Sequence, residues 1–233
     1  MLDIAKHRTV LIKILKDIFT DSTIGPVLGL KGGTAALLFY NLDRFSVDLD
    51  FDLLDIVKEN YVFEKIKTIL GRYGLLKEAS KKRFNFIYIL SYNNKDINAQ
   101  NVKVEINRRE FSSKYDIQSF LSISMKVMVK EDMVAHKMVA MYERIGKANR
   151  DIYDTYFFLY HDWPINKQII KERTGMLFKD FLKKCISLVE KVDNTDILAG
   201  MGELLDEKQK AWSKINLKKE ILFLLKLRLA NEN

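Results

Sequence analysis

Apolar and polar residues alternate strictly over residues 45–53, which makes this segment the clearest strand in the sequence. The odd-numbered positions are apolar, and the even-numbered ones are Ser46, Asp48, Asp50 and Asp52. Successive side chains of a strand point to opposite faces of its sheet. The pattern therefore predicts one apolar face in the core and one polar face that carries the three aspartates.

A second strand is predicted upstream, where the apolar run of residues 27–30 is followed by Gly32 and Gly33. A strand and then a tight glycine turn are the simplest interpretation of this segment. Thr34 comes next and is expected to cap a short helix over residues 35–42.

The other segments divide the chain into a mixed first half and a helical second half. Before residue 127, the spacing of apolar residues predicts helices over residues 1–19 and 62–70 and strands over residues 83–91 and 102–107. After residue 127 the apolar spacing is helical, over residues 133–144, 152–160, 176–192 and 217–229. The order predicts an α+β protein with a helical C-terminal region.

Composition favours a globular protein without a membrane span. The chain has 233 residues, of which 48% are hydrophobic, enough to bury a sizeable core. No apolar stretch approaches the roughly 18 uncharged residues that a transmembrane helix needs. The one cysteine, Cys185, excludes an intrachain disulfide, and nothing in the sequence requires an oxidising compartment. A cytoplasmic location is expected.

The charge balance is basic, with a formal net charge of +8 and a pI of about 9.3. Such a balance is compatible with attraction to polyanions such as RNA, DNA or nucleotides. A surface that is merely rich in lysine explains it equally well.

Asp48 and Asp50 are the first candidates for chemistry, because two carboxylates on one strand face converge. Their Cα atoms are expected to lie roughly 6.5–7 Å apart. Such a pair can bridge two divalent ions about 3.5–4 Å apart, and hard oxygen ligands suit Mg²⁺ or Mn²⁺. The alternative is the solvated face of an edge strand. Asp52 is interpreted as a bystander near the strand end.

The segment Gly32-Gly33-Thr34 strengthens the case for phosphate chemistry. Glycine lets backbone N–H groups approach phosphate oxygens, and the N-terminus of a helix favours negative charge. We therefore expect this turn to bind a triphosphate while the aspartates bind its metal ions.

Three sequence blocks resemble a known family. They are LKGGTA at residues 30–35, RFSVDLDF at residues 44–51, and Lys137 followed by RDIYD at residues 150–154. Together they are similar to the nucleotidyltransferase fold of the DNA polymerase β superfamily, in particular the AbiEii and MenT toxins of bacterial toxin–antitoxin systems. The resemblance covers about residues 28–54 and 130–160. The C-terminal third of the chain, beyond this second block, is not covered by it.

The helical block has two interpretations. Lys137 and Arg144 are two helical turns apart and share a face, so they could contact phosphates or form an exposed basic surface. Asn149 is expected to cap the next helix, where Asp151 and Asp154 in the first turns would suit the helix dipole. It is the resemblance, and not the spacing, that implies active-site roles for Asp151 and Asp154.

The resemblance also implies further site residues. A third carboxylate on a neighbouring strand is usual in the superfamily, and Glu105 is the candidate, either as a metal ligand or as a base on the attacking hydroxyl. An exposed strand glutamate is the alternative. Arg44, Ser46 and Arg150 belong to the matching blocks and are expected near the nucleotide, although Arg44 is more simply explained as structural or ion-paired.

The resemblance further implies a reaction in which an acceptor hydroxyl attacks the α-phosphorus of an NTP and pyrophosphate leaves. RNA, particularly the tRNA 3′ end, is the expected acceptor, and a cognate antitoxin of a type IV-like system is the expected partner. Residues 1–126 are expected to form a nucleotidyltransferase domain with a mixed sheet, and residues 127–233 a helical domain that completes the cleft. The alternatives are a small-molecule nucleotidyltransferase of the antibiotic-modifying type and a non-catalytic NTP- or RNA-binding module.

Overall fold

The computed structural model describes residues 3–92, 101–146 and 148–232. The chain divides into two compact units. The first, the sheet unit, comprises Met1–Glu110 and Tyr115–Met128. The second, the helical unit, comprises Phe111–Lys114 and Val129–Asn233.

The sheet unit is built on a mixed sheet, which in the described residues has seven strands in the order β3-β4-β5-β2-β1-β7-β6. The strands are β1 Leu28–Lys31, β2 Asp48–Leu53, β3 Leu75–Lys81, β4 Asn85–Ser91, β5 Asn101–Asn107, β6 Tyr115–Phe120 and β7 Ile123–Met128. β2 runs parallel to β5 and β1 runs parallel to β7, while the other neighbours are antiparallel. The predicted α+β class is confirmed. The interpretation of residues 45–53 as an edge strand is wrong, because β2 lies at the centre of the sheet.

The α-helices that the structure describes in the sheet unit are α1 Ile4–Thr20, α2 Gly32–Tyr40 and α3 Glu59–Leu70. Asp3 caps α1 by accepting a hydrogen bond from the backbone N–H of Lys6, at 3.0 Å. The side of α1 that carries Leu11, Leu15 and Ile18 is buried, as the helical spacing predicted.

The junction between β1 and α2 differs from the prediction. The helix begins at Gly32, directly after the strand, and Lys31 occupies the N-cap position without a side-chain cap. Thr34 lies inside the helix, so its expected role as the cap is wrong. The reason is Gly32, whose φ of +75° lets the chain turn from strand to helix within one residue.

The helical unit contains α4 Lys130–Arg144, α5 Arg150–Tyr160, α6 Lys167–Thr174, α7 Phe178–Glu190, α8 Glu207–Trp212 and α9 Lys218–Ala230. The four predicted helical segments correspond to α4, α5, α7 and α9. Buried apolar side chains of α5, α7 and α9 include Phe158, Phe181 and Leu225. Among the described residues, no helix is long and apolar enough to cross a membrane.

Candidate active site

Asp48 and Asp50 point away from the apolar core of the sheet unit. Both side chains are half-buried, whereas Leu49 and Phe51 between and after them are fully buried. The register places Asp50 opposite Lys31 on one neighbouring strand and opposite Glu105 on the other. The strand therefore presents two partly accessible carboxylates on one face, as the alternating pattern predicted.

Glu105 lies beside Asp50, but both of its carboxylate oxygens have partners. Oε1 accepts a hydrogen bond from the side chain of Asn85, and Oε2 is paired with the ammonium group of Lys103. Burial lowers the pKa of Lys103, but the Glu105 pair and the negative charges of Asp50 and Asp48 outweigh it and raise the pKa overall. A fixed positive charge thus lies next to three carboxylates.

The donor set fits a hard divalent ion that arrives with a nucleotide. In the part of the chain that the structure describes, no three His, Cys, Asp or Glu side chains converge closely enough to hold a metal ion. Mg²⁺ commonly takes one or two carboxylates and completes its shell with substrate phosphates and water. Asp48 and Asp50 supply that number of carboxylates, while Glu105 is bound to Lys103.

The two glycines bring the first turn of α2 against this face. A Cβ at Gly32 would collide with a carboxylate oxygen of Asp50. A Cβ at Gly33 would lie 2.8 Å from Oγ of Ser46 and 3.0 Å from Nη2 of Arg44. The start of a helix carries backbone N–H groups without intrahelical partners, which favour anions. The first turn of α2 therefore packs directly against Asp50.

Thr34 ties α2 to the first aspartate. Its hydroxyl donates to the backbone carbonyl of Asp48 at 2.5 Å and lies 3.0 Å from the hydroxyl of Ser46. Arg44 is 3% exposed and donates to the backbone carbonyl of Phe45 at 2.7 Å. These contacts hold the chain on either side of Ser46, which agrees with the structural interpretation of Arg44.

His7 is a buried residue of this site that the sequence did not single out. Its Nε2 lies 2.9 Å from the carbonyl oxygen of Val47, and its Nδ1 lies 2.8 Å from the hydroxyl of Tyr92. A carbonyl only accepts hydrogen bonds, so we assign the proton to Nε2 and let Nδ1 accept from Tyr92. Burial lowers the pKa of His7, although the Val47 carbonyl and the charge of Asp48 oppose this shift.

Asp52 is not a bystander. Its carboxylate is buried, is paired with Nζ of Lys31 at 2.5 Å, and accepts hydrogen bonds from Asn107 at 2.6 Å and Tyr115 at 2.5 Å. Burial raises the pKa of Asp52, but the charge of Lys31 and these hydrogen bonds lower it overall. Asp52 therefore joins β1, β2, β5 and β6 through one buried charge.

The helical unit holds a separate charge cluster. Nζ of Lys137 lies 3.1 Å from Asp151 and 2.7 Å from Asp154, and Nη2 of Arg144 lies 2.7 Å from Asp151. Both aspartate side chains are 0% exposed and that of Lys137 is 12% exposed. The interpretation of Lys137 as part of an exposed basic face is therefore wrong.

The expected capping role of Asn149 is also wrong. The residue precedes α5, but its side chain makes no hydrogen bond to the first turn of that helix. Instead it accepts from the backbone N–H of Gly146 at 3.0 Å and donates to the carbonyl of Asp196 at 2.7 Å. Arg150 begins α5 and is half-buried.

Comparison with known proteins identifies relatives over most of the chain. Residues 13–216 match the family described as nucleotidyl transferase AbiEii toxin of type IV toxin–antitoxin systems. No curated protein matches by sequence.

Two solved structures are similar over nearly their whole length. A protein from H. pylori, described as a candidate nucleotidyltransferase, is 19% identical with a TM-score of 0.63, covering 100% of this chain and 99% of its own. MenT4, a nucleotidyltransferase toxin from Mycobacterium tuberculosis H37Rv, is 18% identical with a TM-score of 0.59, covering 98% of this chain and 87% of its own. At this level of identity the structural likeness supports the fold, and the family match supports the activity.

Proposed function

This chain belongs to the AbiEii family of nucleotidyl transferase toxins, and we propose that it transfers a nucleoside monophosphate from an NTP to a hydroxyl group of RNA. The observation that carries the proposal is the position of Asp48 and Asp50. They are two partly accessible carboxylates on one strand face, beside the N-terminal turn of a helix that begins with two glycines.

The metal ion in this proposal is Mg²⁺ or Mn²⁺, held by Asp48 and Asp50. When bound, it would neutralise phosphate charge and lower the barrier to in-line displacement. The triphosphate lies at the first turn of α2, whose backbone N–H groups have no partners within the helix. Thr34 and His7 act as positioning residues, because each binds a backbone carbonyl at or next to Asp48.

Glu105 has a narrower role in this proposal. Both of its oxygens have partners, and it holds Lys103 next to the aspartates. Lys103 then neutralises part of their charge in the absence of a metal ion. Direct ligation by Glu105, or abstraction of a proton by it, would have to compete with Asn85 and Lys103 for its oxygens.

Lys137 is proposed to bind a phosphate group. An ammonium group has three donors, and among the described residues its ion-pair partners are Asp151 and Asp154. Its side chain is 12% exposed, and the two ion pairs leave one of its three donors for an anion. Asp151 and Asp154 then serve the reaction by fixing the position of Lys137, and Arg150 is a further candidate for nucleotide contact.

RNA is the proposed acceptor, with the tRNA 3′ end preferred, and a cognate antitoxin of a type IV system is the proposed partner. The net charge of +8 supports a polyanionic acceptor. The family description supports the antitoxin.

The test is incubation of the protein with total RNA, Mg²⁺ and each α-labelled NTP in turn, followed by separation of the RNA. Label is expected in a discrete RNA species and is expected to disappear with Asp48→Asn. Asp116→Asn is the matched control, because it makes the same change at an exposed position of the same sheet. Label that stays out of RNA with all four NTPs would refute RNA as the acceptor.

A further inference from the structure

A basic surface surrounds one exposed aromatic ring at the turn between β3 and β4. We call it the Phe84 surface and define it by six residues: Lys81, Lys82, Arg83, Phe84, Arg108 and Arg109. Five of the six are basic. Lys82 is paired with Glu78 at 3.3 Å and Arg108 with Glu59. The ring of Phe84 is 44% exposed although it is large and apolar.

Two guanidinium groups lie over this ring. Cζ of Arg83 lies 4.8 Å and Cζ of Arg109 lies 5.4 Å from the ring centroid of Phe84. Both arginines are themselves exposed. Guanidinium groups packed over an exposed aromatic ring form a surface on which a nucleobase can stack, on the ring or on a guanidinium plane, while the arginines bind its neighbouring phosphates.

Arg108 holds the turn in place. Its guanidinium group is paired with Glu59 at 2.7 Å and donates to the backbone carbonyls of Lys82 and Arg83, the latter at 3.0 Å. Its backbone N–H donates to the carbonyl of Phe84 at 2.7 Å. The ring is therefore presented by a fixed turn, which lowers the entropic cost of binding.

The Phe84 surface continues from the polar face that carries the aspartates. Along β5, Glu105 is opposite Asp50 and Asn107 is opposite Asp52. Nε of Arg109 donates to Oδ1 of Asn107 at 3.0 Å. At about 3.3 Å per residue, Asn107 lies roughly 7 Å along the strand from Glu105. A strand of nucleic acid bound at Phe84 can thus extend toward Asp50.

We propose that the Phe84 surface binds a single-stranded segment of the RNA acceptor, with a base stacked on Phe84 and phosphates bound by Arg83 and Arg109. This proposal rests on the proposed function, since it assigns that reaction's acceptor site within the sheet unit. Single-stranded RNA is favoured because a base within a duplex is already stacked and cannot lie on the ring.

The experiment measures fluorescence anisotropy of a labelled single-stranded RNA oligonucleotide and of its duplex with the full-length protein, without NTP. Phe84→Ala is expected to weaken binding of the single strand by at least about five-fold, the lower end of what one stacked base contributes. Phe84→Trp keeps an aromatic face and is expected to stay within about two-fold of wild type. The matched control is Phe223→Ala on α9, because Phe223 is 63% exposed and carries no flanking arginine pair in the described structure.

A salt titration examines the phosphate contacts. Arg109→Gln is expected to remove one phosphate contact. For a single strand this reduces the slope of log affinity against log salt concentration by roughly 0.7. NTP affinity is expected to be unchanged in Phe84→Ala. Circular dichroism spectra and melting temperatures of each variant check that the fold is retained.

Wild-type RNA affinity in a folded Phe84→Ala protein would overturn the proposal. So would loss of affinity in Phe84→Trp equal to that in Phe84→Ala, because the ring would then not act as a stacking face. If polyglutamate binding depends on Phe84 and RNA binding does not, the surface serves an acidic protein instead. The proposed function is judged separately, because it fails only if wild-type protein labels no RNA.

Discussion

The two units each carry a pair of aspartates, and the pairs differ in how the protein uses its charge. Asp48 and Asp50 lie on a strand, half-buried, with their side chains on an accessible face. Asp151 and Asp154 lie on a helix, are 0% exposed, and are paired with Lys137 and Arg144. The first pair is partly exposed to solvent, and the second is buried around a lysine.

The difference shows why residue type alone does not define a role. Removing one member of a buried ion pair leaves an uncompensated charge, which costs about 3–5 kcal/mol. A partly exposed carboxylate can be changed with far smaller loss, typically within about 0.5 kcal/mol away from special features. Activity and stability should therefore respond differently in the two units.

The largest effect on stability is expected for Lys137→Ala, because it leaves Asp151 and Asp154 buried without their shared cation. We expect a loss of about 3–5 kcal/mol in the free energy of unfolding, together with loss of transfer. Denaturant titration and the transfer assay check the two parts. Arg144→Ala is the control, since its side chain is 46% exposed and should cost much less. Equal stability of Lys137→Ala and wild type would refute the buried cluster.

A comparable loss in the free energy of unfolding is expected for Asp52→Asn, and this loss should depend on pH. The folded protein lowers the pKa of Asp52 below its ordinary value of 3.8, so the carboxylate stabilises the fold at higher pH. This contribution is lost as the pH falls below about 4 toward the lowered pKa, when the native carboxylate gains a proton. The difference in unfolding free energy between wild type and Asp52→Asn should shrink in acid. A difference that stays constant from pH 7 to pH 3 would contradict the charged state of Asp52.

A smaller effect is expected for Thr34→Val, which keeps the shape but removes the hydroxyl that donates to Asp48. Loss of one hydrogen bond costs about 0.5–1.5 kcal/mol, and the displaced Asp48 should lower kcat more than it raises the KM for NTP. Thr68→Val is the matched control, because the Thr68 hydroxyl bonds to its own helix at an exposed site. Steady-state kinetics that match wild type would remove Thr34 as a positioning residue.

The smallest effect is expected for Lys103→Met, which removes the cation next to the three carboxylates. Metal affinity should rise several-fold, because a divalent ion no longer meets a fixed positive charge. Calorimetric titration with Mn²⁺ measures the metal affinity without any turnover. Weaker metal binding in Lys103→Met would show that Lys103 supports the metal site and does not oppose it.

Local patterns explain what the sequence could predict about the site. The alternation over residues 45–53 depends only on the strand period, so the shared face of Asp48 and Asp50 followed from it. The same pattern could not reveal that Asp52 is buried, because Lys31, Asn107 and Tyr115 reach it only through tertiary pairing. Sequence spacing gives no sheet register, so Lys103 was not singled out.

Similar reasons apply to the remaining differences. His7 contacts the chain next to Asp48 across 40 residues, which no local motif signals. β3 and β6 are strands at the two edges of the sheet and lack a clean apolar alternation, so they were not predicted. β7 was not predicted either, although its burial alternates over most of its length. The sequence indicated one reason for glycine at position 33, the approach of a phosphate to the backbone. The structure adds a second, because a Cβ there would collide with Ser46 and Arg44. A Gly33→Val protein would therefore not test phosphate binding alone.

One comparison decides whether the strand pair is catalytic. It measures nucleotide transfer and the free energy of unfolding in Asp48→Asn, Asp50→Asn and the control Asp116→Asn. We expect transfer to fall to background in the first two variants while their unfolding free energies stay within about 1 kcal/mol of wild type. Asp116→Asn should keep both properties. Transfer that persists in Asp48→Asn or Asp50→Asn, or a loss of stability as large as that of Lys137→Ala, would contradict an accessible metal-binding pair on β2.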